Sequence, residues 1–138
     1  MLLSRLAMGG RRRTQAAALT SAARTATTQS ADISAIGYKG VIVMLNITVA
    51  SGTGGLQVRV RYKDTVSSSY ILVSASASSF TTVLTVNHQY GEGIGGNSNA
   101  TLGNGGVGSG YLTDTIRIEI FHADASSYTY NVNYVLVS

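Results

Sequence analysis

The chain of 138 residues contains no cysteine, no proline and no tryptophan. Without cysteine there is no disulfide framework and no thiolate metal site. Charge is also scarce, at 12% of residues, with ten bases against six acids and two histidines. A free-standing soluble domain usually carries a more charged surface, so this scarcity points to a surface turned in part toward other protein. No apolar run approaches the ~20 residues that a bilayer-spanning helix needs, and no membrane association is expected. The length suits one domain around one core.

What charge there is lies unevenly. Residues 1–31 hold Arg5, Arg11, Arg12, Arg13 and Arg24 and no acid, whereas residues 32–138 hold five bases (Lys39, Arg59, Arg61, Lys63, Arg117) and six acids (Asp32, Asp64, Glu92, Asp114, Glu119, Asp124). The chain therefore divides by composition into a basic arm, 1–31, rich in Ala, Arg, Ser and Thr, and a near-neutral body, 32–138. By composition alone the arm fits a transit peptide as well as an arm that orders against a partner. Its stretch Thr14–Ala23, "TQAAALTSAA", favours a short helix through its alanines.

In the body the apolar period is two. Leu56, Val58, Val60 and Tyr62 alternate with Gln57, Arg59, Arg61 and Lys63. Ile116, Ile118 and Ile120 alternate with Arg117 and Glu119, and Tyr128, Tyr130, Val132, Tyr134 and Leu136 with Thr129, Asn131 and Asn133. Each pattern predicts a strand with one buried face. "GVIVMLNITVA" differs: Val41, Val43, Leu45, Ile47 and Val49 share one face, yet Ile42 and Met44 make the other apolar too. A strand apolar on both sides is expected to be covered on both, here by the arm or a neighbouring subunit. "SGTGG" (Ser51–Gly55) reads as a tight hairpin turn, "KDTVSSSY" (Lys63–Tyr70) as a second turn, and "ADASS" as a turn making the last two strands a hairpin. Six to eight strands with short links predict an all-β fold: a single antiparallel β-sandwich, Ig-like or jelly-roll, with an extended basic N-terminal arm. The long link is Gly91–Gly110, in which nine of twenty residues are glycine, a length typical of functional or partner-ordered loops.

Motifs of chemistry are weak. Gly91–Gly96 and Gly103–Gly108 both match G-x-G-x-x-G, but no helix follows to take a phosphate. Gly-x-Ser-x-Gly is absent; His122, Asp124 and the nearby serines fit a turn feeding a strand better than a triad. The six dispersed acids supply neither paired carboxylates nor a metal cluster. No catalytic residue, cofactor or metal is expected. Arg11–Arg13 would attract phosphate or an acidic protein surface; with no aromatic interleaved, base stacking is unsupported, and the protein partner is preferred.

Three segments, Ala31–Val41 ("ADIS…G-x-x-G-V" in form), Asn46–Leu56 ("NITVASGTGGL") and Asp124–Tyr130 ("DASSYTY"), carry a resemblance. In them the chain resembles a family of small β-rich virion structural proteins of tailed bacteriophages. The resemblance covers residues 30–138 and leaves out the arm and the glycine-rich loop. It implies a β-sandwich acting as a capsid decoration or cement protein on the virion surface, without catalytic residues. It also removes the transit-peptide reading of the arm. The partners expected are a major capsid protein or other virion proteins, with the chain a homo-oligomer, a trimer being the expected symmetry. In the arm, Arg11, Arg12 and Arg13 would meet acidic surface, with Leu2, Leu3, Leu6 and Leu19 as apolar anchors; Ile42 and Met44 would lie at an interface. A head–tail junction, a tail or fibre-base component, and a host-surface-binding sandwich are the alternatives.

Overall fold

A computed structural model describes residues 13–76, 79–92, 104–109 and 112–138 of the chain. Ten strands are found among them: β1 (Arg13–Arg24), β2 (Thr28–Gln29), β3 (Ile33–Ser34), β4 (Gly40–Ala50), β5 (Leu56–Asp64), β6 (Ser69–Ala75), β7 (Leu84–Gly91), β8 (Asn104–Ser109), β9 (Thr115–His122) and β10 (Tyr128–Val137). They form two sheets. Sheet A runs β1-β10-β4-β7-β8 and sheet B runs β2-β9-β5-β6, with β3 continuing alongside β9. All pairs are antiparallel except β7–β8.

The fold is thus an all-β sandwich, and the strand order decides between the two forms expected. Leaving aside the added β8, and taking β2 and β3 as one interrupted strand, the eight strands alternate between sheets except at the β5–β6 hairpin, which stays in sheet B. β4 lies beside β10 while β5, next in sequence, lies beside β9. β1 and β2 flank the same two strands on the other side. A ribbon of paired strands wound across two sheets in this way is a jelly roll.

The alternating patterns fill the space between the sheets as the sequence predicts. Val41, Val43, Leu45 and Ile47 of β4 face Leu56, Val58 and Val60 of β5 and Ile116, Ile118 and Ile120 of β9, with Tyr128, Tyr130, Val132 and Leu136 of β10 completing the core. The expected face of β4 ends early: Val49 is exposed, because an irregularity in the pairing with β10 skips Thr48 and sets Val49 opposite outward Thr129, so that Ala50, opposite Tyr128, packs on the core instead.

Three local expectations are overturned. Residues 14–23 are not helical but lie within β1, paired with β10 from Arg13↔Val137 to Arg24↔Tyr128. Pairing along the sheet edge overrides the helix preference of alanine, which is small beside a strand's worth of backbone hydrogen bonds. Residues 13–29 therefore belong to the sheets, and only residues 1–12 of the compositional arm lie outside the described part.

Ser51–Gly55 is not a hairpin, nor do β9 and β10 form one. Both connections are arches that cross from one sheet to the other, and they lie side by side. The Ser51 amide donates to the Ser127 carbonyl and the Ala123 amide to the Gly55 carbonyl, and the Tyr128 hydroxyl donates to the Gly54 carbonyl. The glycines are there for proximity rather than for a hairpin: a Cβ on Gly52 would fall 1.9 Å from the Ser126 Cβ, and one on Gly54 2.2 Å from the Asp124 Cγ. The true tight turn is β5–β6, where Asp64 accepts from the Val66 amide and the Ser67 hydroxyl and Ser68 takes a positive φ of 60°.

Candidate functional site

The two outer faces of the sandwich differ in chemistry. On sheet B the outward positions of β5 and β9 are charged. In register, Arg59 faces Glu119 and Arg61 faces Arg117. Like charges directly opposite one another destabilise a sheet, and the side chains turn apart to avoid this. Arg61 reaches diagonally to Glu119, Nε to Oε2 at 2.5 Å, and Gln29 of β2 donates to the same oxygen at 2.8 Å. Arg59 approaches the other oxygen at 3.6 Å. Burial pushes the Glu119 carboxyl up, but the hydrogen bonds from Arg61 and Gln29 and the two arginine charges outweigh it and hold its pKa below the ordinary value. It stays ionised at neutral pH although only 3% of its side chain is exposed.

Arg117 turns the other way. Its Nε donates to Asp32 at 2.7 Å and its Nη1 to the Gln29 side-chain oxygen at 3.2 Å. The Tyr70 hydroxyl donates to the same Asp32 oxygen at 2.7 Å, and Lys63 lies 3.4 Å from the other oxygen. The Tyr70 hydroxyl first, then Arg117, with Lys63 adding charge, bring the Asp32 pKa down to about 2. Two guanidinium groups lie over rings, each 3.9 Å from the centroid: Arg59 over Phe121 and Arg117 over Tyr70. Such cation–π stacking fixes the plane of each group.

The face therefore presents four cations against two carboxylates. Between 21% and 30% of each cationic side chain stays exposed, so donors remain for a partner. Four of the five bases of residues 32–138 lie here. The four remaining acids (Asp64, Glu92, Asp114 and Asp124) lie at strand ends and connections.

Sheet A shows the opposite character. β4, β7 and β10 contain no Asp, Glu, Lys or Arg. Their outward positions are amides, hydroxyls and aliphatics in rows: Asn131–Asn46–Thr85, Asn133–Met44–Asn87 and Val135–Ile42–Gln89. The Oδ1 atoms of Asn87 and Asn131 find no hydrogen-bond partner among the described residues.

Of the residues singled out from sequence, Ile42 and Met44 lie on this neutral face, half-buried. Arg13 is exposed at the start of β1. Leu19, opposite Val132, packs half-buried against the chain's own core. Leu2, Leu3, Leu6, Arg11 and Arg12, and most of the glycine-rich loop, lie outside the described residues.

Within the His122 segment the histidine is interior, while Ala123, Asp124 and Ala125 are exposed. The ring of His122 is buried, with Nε2 2.9 Å from the Tyr130 hydroxyl and Nδ1 without a hydrogen-bond partner among the described residues. Asp124 instead accepts from the Ser126 amide. A carboxylate that orients a catalytic histidine binds its ring N–H; Asp124 does not. His88 is likewise buried, 2.7 Å from the Ser74 hydroxyl. No group of three or more His, Cys, Asp or Glu side chains capable of holding a metal occurs among the described residues, and no helix among them is long and apolar enough to cross a membrane.

The charged network escaped sequence reading. Its signal was the alternation "QVRVRYK" against "IRIEI", in which every outward position but Gln57 is charged, but only the register of β5 on β9 reveals who meets whom.

No protein-family model matches the chain, and no curated protein matches its sequence. Among solved structures, the SPBc2 prophage-derived protein YomS is similar over 93% of this chain and 95% of its own, at 10% identity and a TM-score of 0.51. A structure of infectious bursal disease virus, Gx strain, is similar over 93% of this chain and 32% of its own, at 11% identity and a TM-score of 0.40, a likeness too distant to inform function. With YomS, the likeness is one of fold.

Proposed function

We propose that the chain is a non-enzymatic structural protein of a bacteriophage particle, a decoration or cement protein that stabilises the head. The observation that carries this reading is the division of one small jelly roll into a cationic face on sheet B and a face on sheet A that is uncharged across β4, β7 and β10. A molecule that must meet two different neighbours needs two chemically distinct surfaces. Arginine held flat against aromatic rings is well suited to acidic protein surface, since little side-chain freedom is lost on contact. The phage-family resemblance at Ala31–Val41, Asn46–Leu56 and Asp124–Tyr130 supports the same reading, and YomS, a prophage-derived protein, shares the fold. Fold alone does not give function.

In this reading the cationic face meets the capsid, and residues 1–12 reach a neighbour through Arg11, Arg12 and Arg13 with Leu2, Leu3 and Leu6. Many copies, each weakly held, then bind with high avidity. A host-surface-binding role would use exposed tyrosines. Of the described tyrosines, Tyr90, Tyr128 and Tyr130 are buried and Tyr38, Tyr62, Tyr70 and Tyr134 half-buried, so none of them is exposed.

The test is binding of purified protein to particles that lack it. Full-length chain is compared with a chain cut before Arg13, since a deeper cut would remove β1 and β2. Saturable binding that raises the particle melting temperature is expected, weakened without residues 1–12. Failure of both chains to bind the shell would sink the decoration role and move the protein to the head–tail junction or tail.

A further inference from the structure

Sheet B packs on one face of sheet A, and among the described residues no strand lies on the other. The three rows across β10, β4 and β7 that form this outer face carry no charge, and all nine of their side chains are half-buried. Part of their freedom is therefore already lost, and little more is lost on contact. Five of the nine are amides and three are aliphatic.

This mixture decides what can cover the face. Each amide presents donors and an acceptor. A strongly charged partner would bury its charges here unpaired, at a large desolvation cost. An apolar partner would leave the amides unpaired. A second copy avoids both, since it brings amides to amides and aliphatics to aliphatics without any like charge. Sheet B has no such option: a copy laid against it would set Arg59, Arg61, Lys63 and Arg117 against four more cations. The area also suffices. Five strands about 4.8 Å apart and about eight residues long cover roughly 600 Å². Two copies then bury roughly 1,200 Å², the lower bound for a specific interface.

We propose that the outer face of sheet A packs on the same face of a second copy, about a twofold axis lying along β4. Such a contact must be self-complementary, and the order of the rows chooses the axis. A twofold across the strands at Met44 would set Asn46 against Ile42 and Asn131 against Val135, amide against aliphatic. A twofold along β4 sets Met44 against Met44, Asn133 against Asn87 and Asn131 against Thr85, with Val135 against Gln89 the one mixed pair. It also leaves the strands of the two sheets aligned, a common arrangement of sheets stacked face to face. The four sheets then stack B–A–A–B, with a cationic face at either end, and one dimer can bridge two acidic capsid surfaces. The bridging rests on the cement reading; the contact itself forms without a particle.

The experiment uses the full chain. Light scattering should give about twice the 14.3 kDa chain mass. Met44→Lys, on the outward side of β4, should give a folded monomer, because lysine then meets lysine at the axis. Mixing it with Met44→Glu chains should restore the dimer. Leu72→Lys, on the outer side of sheet B opposite Arg61, should stay dimeric. Mixtures of other variants test the axis without touching Met44. Asn133→Lys chains should pair with Asn87→Glu chains in preference to Asn133→Glu chains, and a twofold across the strands would reverse that preference. A monomeric wild-type chain, a dimer indifferent to Met44→Lys, or the reversed preference would overturn the contact. So would a dimer lost on removal of residues 1–12, which would give the contact to that segment. A monomer that still binds particles would remove this inference alone. A dimer that binds no particle would keep it and sink the decoration role.

Discussion

At the scale of single residues, three buried polar atoms lack a hydrogen-bond partner among the described residues, on Asn87, Asn131 and His122, and His122 is the one that titrates and so gives a measurable consequence. Burial chiefly, with help from the Arg24 cation, pushes its pKa below the ordinary 6.5, while the nearby Ser126 backbone and Asp124 carboxylate pull partly the other way. The folded state therefore prefers the neutral ring, and between the two pKa values the unfolded chain binds more protons. Stability is intact above about pH 6.5 and falls as pH drops through that value. A melting temperature that declines from about pH 7 to pH 5 is expected, with a shallower decline in His122→Gln, whose amide keeps a donor for Tyr130. An unchanged slope in the variant would mean that His122 is not the group responsible. Asp32 acts in a separate window. Its pKa of about 2 means its contribution persists until pH falls below the ordinary carboxylate value near 3.8 and is lost toward 2. None of this was legible in "HADASSYTY". The sequence shows a histidine beside an aspartate, but the alternation that sends His122 inward and Asp124 outward becomes decisive only when β9 stops and the chain crosses to the other sheet.

At the scale of elements, the strands of the body and the Lys63–Tyr70 turn were readable, while the connections that cross between the sheets were not. The period-two patterns of Leu56–Tyr62, Ile116–Ile120 and Tyr128–Leu136 located buried faces correctly because a residue's side of a strand is a local property. Which sheet the next strand joins is not local. Ser51–Gly55 has the composition of a hairpin turn, yet its glycines serve the close approach of two arches, and composition cannot separate the two uses. The alanines of β1 misled for a related reason: helix preference is weak and a sheet edge overrode it. The arches yield a direct test. Gly52→Ala forces a methyl group into the Ser126 Cβ, with the Ser126 Cα only 3.2 Å away, so a side-chain rotation cannot relieve it. Overpacking of this kind costs about 1–3 kcal/mol. Chemical denaturation should show that loss, partly recovered in the Gly52→Ala, Ser126→Gly double variant. Full stability in the single variant would show that the arches are not in contact.

At the scale of the whole molecule, the distribution of charge matters more than its amount. Along the sequence the excess of base falls in residues 1–31, and the body is near neutral. The fold changes this picture: it gathers four of the body's five bases onto one face and sends four of its six acids to the ends. A neutral body thus acquires a cationic side. If that side meets the particle, its exposed cations should steer the encounter more than they hold the complex, since rim charges act mainly on association rate. Arg59→Gln with Lys63→Gln removes two exposed charges while leaving the Arg61–Glu119 and Arg117–Asp32 pairs in place. Association with the undecorated particle should slow by about tenfold at low salt. The remaining rate should depend less steeply on ionic strength, with dissociation little changed. Equal slowing at every salt concentration would point instead to lost packing at Phe121. An unaltered rate would mean that the cationic face looks outward, and that the uncharged face or residues 1–12 make the contact.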